Sequence, residues 1–432
     1  MARPATQPAA VVTSVTFTQS QIVPGRSSGP RAPGRAHRWW AVPLAVLGMF
    51  AILAPIVAAV VPSSAVIRVD RCVTRDSKGK CTKSVEKPME AALVPADAEP
   101  VEPRLVVNGA TTYPSKGEIY FVTIREPKTT VLDWIAIRSN PAARDMTHQE
   151  KFGNQSEQQL LQAGQRQMTG AKDRATYVAL KAAGYPVTRK EGPIVVDYTV
   201  CLKSNPEGTK CLQEAPASQV LQPDDEITAV NGTPTPTLAD LPPVLAKVKA
   251  GDLVDISFTR GTKKMTGRVQ TVSAQGEATP RTIIGFAPVD TTTVVLPKGL
   301  DVEFETEGIG GPSAGTAFTL TLIDQLTPGD LMGPQKVAVT GEIDIDGNVG
   351  AIGGLNSKAS AVMQVGVKYF LVPASQPATG PDSIAAARKA VGDKVTIIPI
   401  ATLADALRVL RTLGGDALPP AATPDTATVT TG

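Results

Sequence analysis

Residues 307–320 read EGIGGPSAGTAFTL, and residues 339–358 read VTGEIDIDGNVGAIGGLNSK. In the first stretch Gly308, Gly310, Gly311 and Gly315 crowd around Ser313. Such a loop lets backbone amides approach a reacting oxygen. Pro312 suits the first turn of a helix, which puts Ser313 at a helix N-terminus. Free N–H groups and the helix dipole there favour the negative charge that develops in acyl transfer. A phosphate cradle or a tight structural turn fits the loop equally well. In the second stretch Lys358 falls in the first turn of a helix, flanked by Ala351, Ile352, Leu355, Ala359 and Val362. A cation is disfavoured at a helix N-terminus, and apolar flanks desolvate it. Both effects would hold the amine neutral, making Lys358 a candidate base for Ser313. The bland alternative is a solvated surface lysine.

The sequence around these stretches alternates strands and helices. Strands are expected at 281–289, 299–307, 336–344, 367–373 and 395–400. Helices are expected at 313–326 and 357–366, at 382–392 with an Asp cap, and at 402–410 with a Thr cap. Residues 276–414 therefore read as one α/β unit, and the chain as a whole as α/β (α+β). Upstream, GEIYFVTI (117–124) alternates as a strand does. Ser156 and Gln159 form a capping-box pattern ahead of a polar helical region that ends at Gly184 and Pro186. From 187 to 275 the pattern changes to short strands with turn signals: PIVVDYTV (193–200), DEITAVNG (225–232), and a hairpin from 253–261 and 265–272. A short helix over 238–248 is confined by Pro242 and Pro243.

The N-terminal portion poses a separate question. No charged residue occurs from Trp39 to Ile67, and the apolar core spans 39–61. As a helix that core would be roughly 34 Å long, enough for the ~30 Å hydrocarbon layer. Arg3, Arg26, Arg31, Arg35 and Arg38 precede it, and no acid occurs before Asp70. The positive-inside rule then puts the N-terminus in the cytoplasm and the rest outside, with Trp39 and Trp40 as interfacial anchors. A cleavable signal peptide is the competing reading, with a weak site at 63–65. The four cysteines follow the apolar run. Cys72 with Cys81 and Cys201 with Cys211 read as two local disulfides of an oxidising compartment, against four unrelated thiols.

Composition excludes several classes. A net charge of +3 from 43 basic and 40 acidic residues is too small for a polyanion binder, and 4% aromatics argue against a base-stacking platform. No nucleic-acid partner is expected. GxxxxGK[ST] does not occur, so a P-loop ATPase is excluded. The only histidines are His37 and His148. One lies before the membrane run, and the other has no acidic partner suggested by its neighbours. No metal site or cofactor is expected.

GPSAG followed by VTGEIDIDGNVGAIGGLNSK strongly resembles the proteolytic domain of Lon proteases. The resemblance implies Ser313 as nucleophile and Lys358, 45 residues on, as general base and later acid. It implies that Thr340 orients the lysine, and that the backbone around Gly310, Gly311 and Ser313 forms the oxyanion loop. Lon enzymes usually carry Asp three residues before the serine; Gly310 stands there here. Ala215–Gly232 resembles the core of a bacterial PDZ domain, with Asp224 where glycine is usual. That resemblance implies peptide binding by strand addition, or a spacer of the same fold. The whole order is similar to bacterial membrane-anchored PDZ–Lon proteins.

The chain then divides into a disordered cytoplasmic tail (1–38), a membrane helix (39–61), and a stalk with a strand that could join the protease domain (62–125). A helical region (126–186), the PDZ-like domain (187–275), the Lon-type domain (276–414) and a disordered tail (415–432) follow. The implied function is ATP-independent hydrolysis of extracytoplasmic proteins or peptides by a single-pass cell-membrane protease. The resemblance also allows a homo-oligomer. The rivals are a catalytically inert PDZ/Lon-like scaffold, a small-molecule kinase of related fold, and a signal-peptidase-type enzyme.

Overall fold

The computed structural model describes residues 41–75, 81–153, 155–204, 211–274 and 281–419. It divides into two units, residues 1–54 and 55–432. The helix Ala41–Val60 carries no charged residue and contains Pro55. Its described side chains are largely exposed, Leu47 and Ile52 among them. Among the described side chains no helix is long and apolar enough to cross a membrane; positions 41, 42 and 45 of this 20-residue helix lie outside them. The span expected over 39–61 is therefore not shown by the structure. Trp39, Trp40 and the tail 1–38 lie outside the described residues, as does most of the C-terminal tail.

The larger unit is built on a seven-stranded sheet. Its order is Arg68–Arg75, Cys81–Pro100, Glu118–Arg125, Lys336–Val339, Tyr369–Pro373 and Thr396–Ile400, with Arg144–Thr147 also on Cys81–Pro100. The last four strands of the path run parallel. Their residues, such as Val337, Ala338, Val339, Phe370 and Leu371, are fully buried because helices cover both faces. On one face Phe121, Val339 and Leu371 pack with Phe318 and Leu322 of the Gly315–Leu326 helix and with Leu180 of the Glu157–Ala182 helix. On the other, Val122, Ala338 and Phe370 pack with Leu355 and Val362 of the Leu355–Gln364 helix and with Ala387 of Ile384–Val391.

Within 62–125, expected as a stalk with a strand that could join the protease domain, Glu118–Arg125 pairs with Lys336–Val339 in the sheet, and the residues ahead of it are strands as well. Strands 68–75 and 81–100 extend the sheet on its antiparallel side. Pro88, Pro95 and Pro100 obscure the alternation in the sequence; Pro88 and Pro100 keep their places opposite Arg68 and Tyr120, and the ladder shifts register between Pro95 and Ala98. Cys72 and Cys81 are disulfide-bonded across this hairpin, with Cα atoms 5.7 Å apart.

A second, six-stranded antiparallel sheet has the order Lys263–Gln270, Leu253–Arg260, Glu226–Val230, Ile194–Thr199 and Phe286–Asp290, with Thr233–Pro234 also on Glu226–Val230. It corrects the expected boundary: 281–289, read as part of the α/β unit, ends in a strand paired with Ile194–Thr199. The apolar run 282–289 had no alternation to mark which sheet it joins. Asp224 has φ 69°, a left-handed conformation that glycine adopts without strain, which accounts for the residue usual at that position. Asn231 and Gly232 (φ 50° and 73°) form the tight turn expected of Asn-Gly. Cys201 and Cys211 are bonded across the hairpin Cys201–Ser204/Cys211–Glu214. Where the chain leaves and re-enters the first sheet's surroundings, Thr188–Lys190 pairs with Thr293–Val295.

Candidate active site

Ser313 lies in the turn just before the Gly315–Leu326 helix, whose N-cap is Ala314. Lys358 lies in the first turn of the Leu355–Gln364 helix. The two helices cover opposite faces of the sheet, and the side chains meet at its parallel centre. Lys358 Nζ is 2.6 Å from Ser313 Oγ. It is also 2.8 Å from the carbonyl oxygen of Val122 and 3.3 Å from Thr340 Oγ1. Thr340 Oγ1 donates to the carbonyl of Ser313 at 3.1 Å, and Gly341 N–H donates to the same oxygen at 2.8 Å. Thus the structure brings together Ser313, Lys358 and Thr340, the residues to which the resemblance pointed.

Lys358 is 2% exposed and no carboxylate is among its hydrogen-bond partners. Burial pulls its amine down from 10.5 to about 7. A neutral amine has two N–H donors and one lone pair. The donors match Val122 O and Thr340 Oγ1, which leaves the lone pair facing the Ser313 hydroxyl. Ser313 itself is only half-buried. The arrangement can therefore take a proton from a hydroxyl that a ligand can reach.

The Lys358 helix is held in register by several contacts. Gly354 precedes it with φ 71°, and a Cβ there would meet Ile124 at 2.8 Å. Ser357 Oγ donates to the Ala142 carbonyl at 2.6 Å, and Asn356 Nδ2 to that of Pro141 at 2.8 Å. Asp382 accepts the Leu355 N–H at 3.1 Å, capping this helix from a distance. Its expected role at the 382–392 helix belongs instead to Ser383, whose hydroxyl accepts from Ala386 N–H. Gln376 brackets Ile352 through both its amide atoms, at 3.1 Å each.

The oxyanion loop differs from expectation in one respect. Gly311 N–H donates to the carbonyl of Gly164, in the Glu157–Ala182 helix, at 2.8 Å. That amide is spent on the helix in this conformation and does not face a reacting oxygen. Gly310 packs on the same residue: a Cβ at 310 would lie 3.2 Å from the Gly164 carbonyl carbon. This close helix contact gives a physical reason for glycine where Lon enzymes usually carry Asp. His148 is not among the partners of Ser313 or Lys358; it packs on the Phe152 ring and lies 3.9 Å from Glu90. His37 lies outside the described residues.

Sequence reasoning missed Val122, Gly164, Gln376 and the Asp382 cap. Two of these act through backbone carbonyls, which carry no residue signature. The other two act across distant segments.

A second feature sits on the antiparallel sheet. Phe286–Asp290 ends the strand order and pairs only with Ile194–Thr199 among the described strands. Beside it runs a groove of about 640 Å³ lined by Leu241, Leu245, Val248, Ile284 and Phe286. The Glu157–Ala182 helix joins the two regions physically: Arg166 pairs with Asp197 of the Ile194–Thr199 strand.

Residues 306–412 match the model of the Lon protease (S16) C-terminal proteolytic domain. The chain is 36% identical over 97 residues to a Lon protease from Neorickettsia sennetsu, a match covering 22% of this chain and 11% of that protein. It is 34% identical over 101 residues to an archaeal Lon protease from Methanothermobacter thermautotrophicus, covering 23% and 15%. The chain thus spans only about a tenth of the length of such relatives. Among solved structures it is similar to the PDZ domain of an SdrC-like protein from Listeria monocytogenes, at 22% identity. That match covers 23% of this chain and 90% of the other, with a TM-score of 0.18. It is also similar to a Geobacillus thermodenitrificans protein, at 20% identity with 22% and 95% covered and a TM-score of 0.18. The chain carries a segment similar to the Lon proteolytic domain, set in a mixed α/β fold.

Proposed function

We propose that the protein is a membrane-anchored, ATP-independent serine endopeptidase that cleaves extracytoplasmic protein substrates with a Ser313–Lys358 dyad. The observation that carries this reading is the 2.6 Å approach of the buried Lys358 amine to the Ser313 hydroxyl. Lys358 accepts the hydroxyl proton as Ser313 Oγ attacks a peptide carbonyl carbon. The tetrahedral anion needs backbone N–H donors, each worth roughly 3–4 kcal/mol. Gly311 N–H becomes one of them only when it leaves Gly164. The protonated lysine then gives its proton to the departing amine as the C–N bond breaks. Water, deprotonated by the same amine, releases the acyl group from Ser313.

Anchoring is supported by the charge-free run before Ile67 and the arginines ahead of it. An extracytoplasmic setting is supported by the two disulfides. The open edge of Phe286–Asp290 beside an apolar groove supports strand addition by an extended segment of substrate or a regulatory peptide.

The test is labelling of the full chain, in detergent or nanodiscs, with a serine-directed fluorophosphonate, together with cleavage of an unfolded protein. Labelling and cleavage that are both lost in Ser313→Ala and in Lys358→Ala are expected. A wild-type chain that neither labels nor cleaves would make the domain an inert scaffold; a Lys358→Ala variant that does both at full rate would overturn Lys358 as the base.

A further inference from the structure

The helix Val131–Ser139, of sequence VLDWIAIRS, buries none of its residues, although most are apolar. Leu132 is 43% and Ile135 55% exposed, and Ala136 is exposed with them. Residues spaced by three and four share one helix face, so these form one apolar surface. Its single acid is committed elsewhere: Asp133 Oδ2 accepts from Thr130 N–H and Thr130 Oγ1, both at 2.8 Å, as a capping box. Arg138 lies over the Trp134 ring, 4.7 Å from its centroid.

This helix starts where the apolar run of the chain ends. Val131 N–H donates to the Val61 carbonyl at 3.0 Å, and Ser63 N–H to that of Thr129 at 2.9 Å. Ser63 is fully buried, its hydroxyl 2.7 Å from Thr129 Oγ1 and bonded to the Met89 carbonyl at 2.9 Å. The junction is therefore a fixed corner. Around it Val60 (72%) and Val66 (60%) are also exposed, and Arg68 reaches back to the Ser64 carbonyl.

We propose that the Val131–Ser139 helix lies on the lipid surface, with Leu132 and Ile135 at the headgroup–acyl boundary and Arg138 among lipid phosphates. The inference rests on the reading of 39–61 as a membrane span. A span that ends at Val61 brings the start of this helix to headgroup level, because two backbone hydrogen bonds tie them. The residue types suit that layer: aliphatic side chains on one face, a tryptophan of mixed character, and an arginine able to pair with phosphate. A protein partner would need a surface reaching the same corner of the bilayer, whereas lipid is already there.

The three tryptophans make the test direct, since Trp39, Trp40 and Trp134 are the full set. In a Trp39→Phe/Trp40→Phe chain, Trp134 is the sole tryptophan. The full chain is reconstituted in phosphatidylcholine–phosphatidylglycerol vesicles, with and without bromine on the acyl carbons nearest the headgroup. Loss of Trp134 emission in brominated vesicles is expected. It should be reversed by Leu132→Asp/Ile135→Asp, whose far-UV circular dichroism should match the parent. An alkaline carbonate wash separates the two readings. Wild type and the aspartate variant should both stay with the vesicles if 39–61 is a span. Release of the wild type overturns the anchor and this inference with it. Retention with Trp134 emission indifferent to bromine overturns the surface helix alone and points the apolar face to a protein.

Discussion

The two large sheets among the described residues treat polar atoms in opposite ways. At the centre of the parallel sheet, Lys358, Thr340 and the carbonyls of Val122 and Ser313 use one another as partners, and the lysine is almost sealed from water. At the rim of the antiparallel sheet, Phe286–Asp290 pairs on one side only among the described strands, beside an apolar groove. Charge is tuned where exposure is least, because only burial moves a lysine to about 7. Recognition of an extended chain needs the reverse, backbone groups left without a strand partner. Substitutions in the first region should therefore change the rate of chemistry, and those in the second only the capture of long substrates.

The sharpest break comes at the dyad. Ser313→Ala and Lys358→Met should each lower peptide hydrolysis by at least about a thousand-fold, with thermal unfolding still cooperative. Turnover measured on a short fluorogenic peptide checks this without involving the groove. Next is pH. Below about 7 the rate should fall about tenfold per unit as Lys358 takes up a proton, and it should level off above. Stability should move in the same direction. The unfolded chain keeps that proton until about 10.5 and the folded chain releases it near 7, so between these values the unfolded state binds more protons and folding gains as pH rises. A denaturant series across this range, wild type against Lys358→Met, isolates the contribution.

Thr340→Val removes one hydrogen bond to the amine and one to the Ser313 carbonyl. A loss of roughly thirty-fold in kcat is expected, since such bonds are worth about 1 kcal/mol each. Gly310→Asp, the residue usual in Lon enzymes, should cost about 1–3 kcal/mol in denaturant unfolding because it presses on Gly164. An unchanged midpoint would show that the helix yields easily. The smallest effect belongs to the groove. Leu245→Glu should raise KM for a protein substrate a few-fold and leave short-peptide turnover untouched; an equal effect on both would erase the contrast between the regions.

Ser313 and Lys358 were legible through the resemblance of the two contiguous strings that hold them to the Lon proteolytic domain; read alone, the glycine loop fitted a phosphate cradle or a tight turn equally well, and the lysine a solvated surface charge. Most strands and the Ser156, Thr402 and Asn-Gly signals were legible from local pattern. The antiparallel extension of the dyad's sheet was not: Arg68–Arg75 and Cys81–Pro100 went unread because prolines in the longer strand break the alternation. Glu118–Arg125 was read from its alternation, but it supplies Val122 through a carbonyl that any residue could provide. The 281–289 segment was assigned to the α/β unit, whereas Phe286–Asp290 belongs to the antiparallel sheet, since short apolar runs look alike in either architecture. Asp382 was assigned to its own helix because a cap for another helix 27 residues away leaves no local trace.

The ladder between Thr188–Lys190 and Thr293–Val295 has a practical outcome. Lys190 and Thr293 are cross-strand neighbours, so the whole excursion from 191 to 292 departs from and returns to nearly one point. A tight two-residue turn could bridge that gap without stretching the backbone. The part of the chain that holds Ser313 and Lys358 is thereby a chassis with a socket, able to exchange the inserted segment for another whose termini lie equally close.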